Sequence, residues 1–82
     1  MKRGEKMNDI KRHKLYELRH KLGITQKNVA ENAKISRSSY SLIESGRRNP
    51  SVTVAINISK ALNVSLEDAF PDEIFFGKNV AI

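Results

Sequence analysis

Eighty-two residues allow one small domain with a single modest core. With no cysteine, neither a disulfide nor a thiolate metal site can supplement that core. The formal net charge is +6 but uneven: residues 1–50 hold 13 Lys/Arg against 5 Asp/Glu, and residues 51–82 hold 2 against 4. The first part is a candidate surface for a polyanion, and the second is not.

Residues 1–7 are polar, contain glycine and show no periodicity, so they read as a loosely ordered arm. Its Lys2, Arg3 and Lys6 are placed either to touch phosphates or simply to fray. A first helix is expected from about Asp9 to Leu22, with Leu15, Leu18 and Leu22 forming its apolar stripe. Asp9 suits the positive end of the helix dipole and Lys21 the negative end. Gly23 stops the helix in the left-handed conformation.

Residues 24–45 carry one local device twice. Thr25 as N-cap sets Ile24 and Val29 as an apolar clamp, and Ser36 as N-cap sets Ile35 and Tyr40 in the same way. The pattern predicts helices at about 26–33 and 37–45. Only Lys34 to Ser36 separate them, which is helix-turn-helix spacing. Gly46 ends the second of this pair as Gly23 ends the first helix, and Pro50 blocks any simple continuation.

Ser51 caps a fourth helix, Val52 to Leu62. Its apolar residues Val52, Ala55, Ile56, Ile58, Ala61 and Leu62 span more than one face, as a central helix requires. Ser65-Leu-Glu-Asp68 resembles a capping box and opens a short fifth helix ending near Phe70. The tail, residues 71–82, holds Ile74, Phe75 and Phe76, whose composition is extended or strand-like. Exposed alone, these side chains would lower solubility. They either fold back over the core or form a dimer contact.

In sum, the set Leu15, Leu18-Arg19, Leu22-Gly-Ile-Thr-Gln26, Val29-Ala30, Ile35-Ser36, Ile43-Glu44, Gly46, Pro50-Ser51 and Ala61-Leu62-Asn-Val-Ser65 resembles the Cro and phage-repressor (XRE-type) helix-turn-helix family. The likeness covers roughly residues 12–70. It implies an all-α, five-helix lambda-repressor-like domain over 8–70, carrying a DNA-binding regulator, usually a bacterial or phage repressor that binds its operator as a dimer. By position, Gln26 resembles the family glutamine that bonds a phosphate. Arg19 and Glu44 resemble an ion pair joining the first helix to the third, which fixes orientation more than it adds stability.

Three residues depart from the family pattern. Lys34 replaces a glycine, at a cost of about 1 kcal/mol if its φ is positive. Tyr40 replaces an aliphatic core residue, and its hydroxyl is expected to reach the surface. Leu42 stands where a polar base reader is usual.

On the third helix, Ser36, Tyr40 and Ile43 share the inward face, leaving Arg37, Ser38, Ser41, Leu42 and Ser45 outward. Arg37 can fork onto guanine, Ser38 and Ser41 permit close approach, and Leu42 can pack on a thymine methyl. Arg47, Arg48 and Asn49, with Lys27 and Asn28 beside Gln26, are phosphate candidates. The expected partners are palindromic double-stranded DNA and a second copy of the chain, with Ile74, Phe75 and Phe76 as dimerisation candidates.

Catalysis is poorly supported. His13 and His20 sit seven residues apart on one helix, and no serine has a neighbouring base. No cofactor or metal is expected. The basic segments lack the face of a membrane-surface helix, and no secretory signal or spanning segment is present. A cytoplasmic, nucleoid-associated protein is therefore expected. The competing reading is an antitoxin or adaptor that uses the scaffold to grip an unknown protein partner.

Overall fold

The computed structural model describes residues 12–71. They form five helices: α1 (His13–Leu22), α2 (Gln26–Ala33), α3 (Arg37–Glu44), α4 (Val52–Ala61) and α5 (Leu66–Ala69). No strand occurs among the described residues. None of the helices is long and apolar enough to cross a membrane.

Helices of four to ten residues are marginal alone, so their ends and their packing hold them. Four starts use the expected side chains. Thr25, Ser36, Ser51 and Ser65 accept bonds from the amides of Asn28, Ser39, Val54 and Asp68. At Thr25 the box is reciprocal, because Asn28 Oδ1 accepts from the Thr25 amide at 3.5 Å.

The helix ends also share a device. At α1 the amides of Gly23 and Ile24 donate to His20 and Arg19. The same paired bonds recur at Lys34–Ile35, Gly46–Arg47 and Asn63–Val64, each with a left-handed first residue. These are Schellman motifs, and they let consecutive helices turn sharply. Lys34 has φ +63°, so the strain expected there is present.

In the interior, α2 packs on α3 and α4, α4 on α5, and α1 on α5 and α3. Leu15, Val29, Tyr40, Ile58 and Leu62 are the largest fully buried side chains. Each contributes about 1.5–3 kcal/mol of burial. Ser59 is also buried, and its hydroxyl donates to the Ala55 carbonyl at 2.8 Å, which leaves it satisfied.

Three expectations need correction. Leu22 is not part of the inward stripe, being 50% exposed. It is the last residue of α1. Ile56 is on the solvent side of α4, although that helix is central as expected, with Ala55 and Ile58 fully buried. Tyr40 does not bring its hydroxyl to the surface: the residue is 0% exposed. As the fourth residue of α3 it faces the core with Ile43, and the Ile35 clamp seats its ring there. The Asp9 helix start, the arm at 1–7 and the tail residues Ile74, Phe75 and Phe76 lie outside the described residues.

Candidate nucleic-acid interface

The helix pair α2–α3 is held by a bidentate ion pair from α1. Arg19 Nε and Nη2 donate to Glu44 Oε1 and Oε2 at 2.9 and 3.0 Å, and Nη1 donates to the Ile24 carbonyl at 3.1 Å. Gln26 Nε2 approaches Glu44 Oε2 at 3.4 Å. Burial alone would raise the Glu44 carboxyl. The Arg19 fork and its charge, together with the nearby Tyr40 hydroxyl and Gln26 amide, outweigh that burial and hold the group below its ordinary value. The same fork, against a smaller desolvation, raises Arg19. Burial drives the neighbouring Tyr40 phenol well above its ordinary value, with the Glu44 charge adding to the effect. Its hydroxyl lies beside this pair and helps hold Glu44 ionised, although it falls short of full hydrogen-bond geometry.

This pairing leaves the outward face of α3 open. Arg37 and Ser38 are exposed, and among the described residues Arg37 has no hydrogen-bond or ion-pair partner. Ser41 and Leu42 are half-buried at the flanks. Ser45 turns its hydroxyl back to the Leu42 carbonyl at 3.0 Å, so it is committed to ending the helix.

An open cleft of about 390 Å³ joins the start of α2 to this face. Its walls include Arg19, Thr25, Gln26, Lys27 and Arg37. The structure therefore brings together two phosphate candidates, Gln26 and Lys27, and the principal base-reading candidate. Gln26 is half-buried and engaged with Glu44, whereas Lys27 is exposed and pairs only loosely with Glu31 at 4.0 Å. Such an exposed pair contributes little and yields readily to another anion. Asn28 uses its oxygen in the Thr25 capping box, and its backbone carbonyl accepts from Asn32 at 2.9 Å.

On the other flank, Arg47, Arg48 and Asn49 are exposed in the loop after α3. Arg48 Nη1 donates to Ser39 Oγ at 3.1 Å, and the Ser36 and Ser39 hydroxyls meet at 3.0 Å. Cationic residues thus bracket α3 from both sides.

Two contributors were missed in the sequence. Nothing in the sequence distinguishes Ser39 from the other serines of α3, although its Oγ holds Arg48. Arg12 lay in a basic run with no distinguishing pattern, yet it bonds the end of α3 and the following loop across more than thirty residues.

Comparison with known proteins agrees with this geometry. A helix-turn-helix family profile matches residues 15–68. A regulator of Archaeoglobus fulgidus described as HTH-type transcriptional is 35% identical over 69 residues, covering 82% of this chain and 99% of its own. The control protein C.MunI of a Mycoplasma species is 39% identical over 70 residues, covering 80% and 95%. The crystal structure of the restriction-modification controller protein C.AhdI from Aeromonas hydrophila superposes with a TM-score of 0.68. It is 29% identical and covers 71% of this chain and 88% of that one.

Proposed function

The chain belongs to the helix-turn-helix family of DNA-binding transcription regulators, and from that premise we propose that α3 is its recognition helix. In this reading α3 enters the major groove of a palindromic operator, two copies bind together, and the protein represses transcription. Arg37 forks onto a guanine edge, Ser38 and Ser41 allow the close approach, and Leu42 packs against a thymine methyl. Gln26, Lys27 and Asn28 hold phosphate on one flank, where the α2 N-terminus adds free amides. Arg47, Arg48 and Asn49 hold phosphate on the other.

The observation that supports this most is the exposed Arg37, unpartnered among the described residues, on a helix bracketed by cations. A scaffold for protein contacts alone has no need of that charge arrangement. One domain of this size covers little DNA, which favours a dimer on two half-sites. The likeness to two proteins named as control or controller proteins supports a regulatory role.

Gel-shift titration against duplex DNA at several salt concentrations tests the reading. Binding that falls steeply with salt and yields paired half-site footprints is expected. Salt-independent or absent DNA binding overturns it. Sedimentation of a chain truncated after Pro71 tests Ile74, Phe75 and Phe76: loss of the dimer is expected, and an unchanged dimer removes them from the interface.

A further inference from the structure

Arg12 makes an unusual set of bonds for a half-buried residue preceding a helix. Its Nη1 donates to the Ile43 carbonyl at 2.6 Å and to the Arg48 carbonyl at 3.2 Å. Its Nη2 donates to Asn49 Oδ1 at 2.9 Å, and its backbone amide donates to the Glu44 carbonyl at 2.8 Å. The guanidinium lies 5.9 Å from the centre of the buried Phe70 ring. One residue therefore touches the last turn of α3, the loop backbone and a loop side chain, while resting on the core.

Each contact has a reason. The carbonyls that end α3 carry the negative pole of its dipole, which a fixed cation complements. A planar guanidinium can serve three acceptors at once, which a lysine ammonium on a flexible stem cannot do in one geometry. The loop bears adjacent cations at Arg47 and Arg48, whose mutual repulsion and rotamer freedom would otherwise spread it over many conformations. The bond to Asn49 also orients that amide. Because Oδ1 faces the Arg12 cation, the N–H bonds of Nδ2 are left to donate elsewhere.

We propose that Arg12 is a positioning residue: it sets the 47–49 loop in the geometry that holds DNA phosphate, with Asn49 Nδ2 as a phosphate donor. The proposal rests on the DNA-binding reading above. It adds a residue that touches no nucleic acid itself but organises one of the two clamps before DNA arrives, so that less ordering remains to be done on binding.

Two measurements on the full chain separate this proposal from the reading beneath it. The first needs no DNA: backbone ¹⁵N relaxation of the free protein. In Arg12→Gln, order parameters at residues 47–49 fall while those in the first turn of α3 hold. In Asn49→Asp, which keeps an acceptor for Arg12, loop order is retained. Unchanged order at 47–49 in Arg12→Gln overturns the proposal whatever the protein binds.

The second is the salt dependence of duplex binding. Arg12→Gln binds about tenfold more weakly, and its log–log salt slope drops by about 1 per chain. Base preference stays as in the parent. A purely structural loss would lower the folded fraction and leave the slope where it was. Asn49→Asp, with an ordered loop, also binds about tenfold more weakly, because a carboxylate replaces the donor facing phosphate. Parent-like binding by Asn49→Asp overturns the donor assignment. Parent-like slope in Arg12→Gln overturns the positioning role. Absence of salt-sensitive duplex binding in the parent chain instead overturns the function on which both depend. Should Arg12→Gln fail to fold, Arg12→Lys carries the same test, since it keeps the charge and loses the fork.

Discussion

The two ends of α3 are built on opposite plans. At its C-terminal end, Arg19 grips the Glu44 side chain and Arg12 bonds the Ile43 and Glu44 carbonyls. That end is buried, charged and fully tied to α1 and the segment before it. At its N-terminal end, Ser36 caps the helix with its own oxygen, and Arg37 and Ser38 stand exposed. The contrast teaches how a short helix can be rigid and still present an open surface. The bonds that fix its position are collected at one end, which frees the other.

The largest effect should come from breaking the fixed end. Glu44→Ala strips the carboxylate from Arg19, whose side chain is only 12% exposed in the native pair, and it should destabilise by about 3 kcal/mol in denaturant unfolding. The pH dependence follows from the same pair. Because Glu44 is held below its ordinary value when folded, its contribution is complete above the ordinary carboxylate range. It fades as pH falls through the folded value. Acid unfolding followed by circular dichroism should therefore show a shallower pH dependence in Glu44→Gln than in the parent. An equally steep profile would move the acid sensitivity elsewhere.

The free end should be far more forgiving. Ser36→Ala removes the N-terminal side-chain cap of α3 and should cost about 1 kcal/mol by thermal unfolding. A cost near that of Glu44→Ala would erase the contrast between the two ends. Next in size is the turn that precedes this end. Lys34→Gly relieves a left-handed lysine and should stabilise by about 0.5–1 kcal/mol. A loss of stability would mean that the lysine side chain itself matters to the turn.

The smallest effect sharpens the view of the fixed end. The Tyr40 hydroxyl is buried beside the Arg19–Glu44 pair: it helps hold Glu44 ionised but falls short of full hydrogen-bond geometry, so its support and its desolvation cost oppose each other. Tyr40→Phe should therefore change stability by less than about 0.5 kcal/mol in either direction. A loss above about 1 kcal/mol would show that the hydroxyl supports the pair.

The comparison also explains what the sequence could and could not convey. Caps at Thr25, Ser36, Ser51 and Ser65 are local events over three residues, and they were readable directly. The left-handed Lys34 was readable only conditionally, through the glycine that the resembled family carries at that position. The exposure of Leu22 and Ile56 was not readable, because periodicity assigns a face without saying where the neighbouring helix ends. Tyr40 misled for a related reason: tyrosine usually keeps its hydroxyl wet, and only the packing around α3 overrides that habit. Arg12 carried no local signal, because its partners lie at Ile43, Arg48 and Asn49. For the nucleic-acid face, the helical wheel gave Arg37 and Ser38 as exposed. The flanking Ser41 and Leu42 turned out to be half-buried.

The central claim is a division of labour, with the free end of α3 reading bases and the loop beyond its fixed end holding phosphate. Selection of bound sequences from random duplex DNA, run in parallel on Arg37→Ala and Arg47→Ala, tests it most directly. Arg37→Ala should lose preference at one position of each half-site, a discrimination of about 1–3 kcal/mol. Arg47→Ala should keep the parent's sequence preference while binding every sequence more weakly, with a salt slope lower by about 1 per chain. Two mutants with the same selected sequence and the same slope would contradict the account.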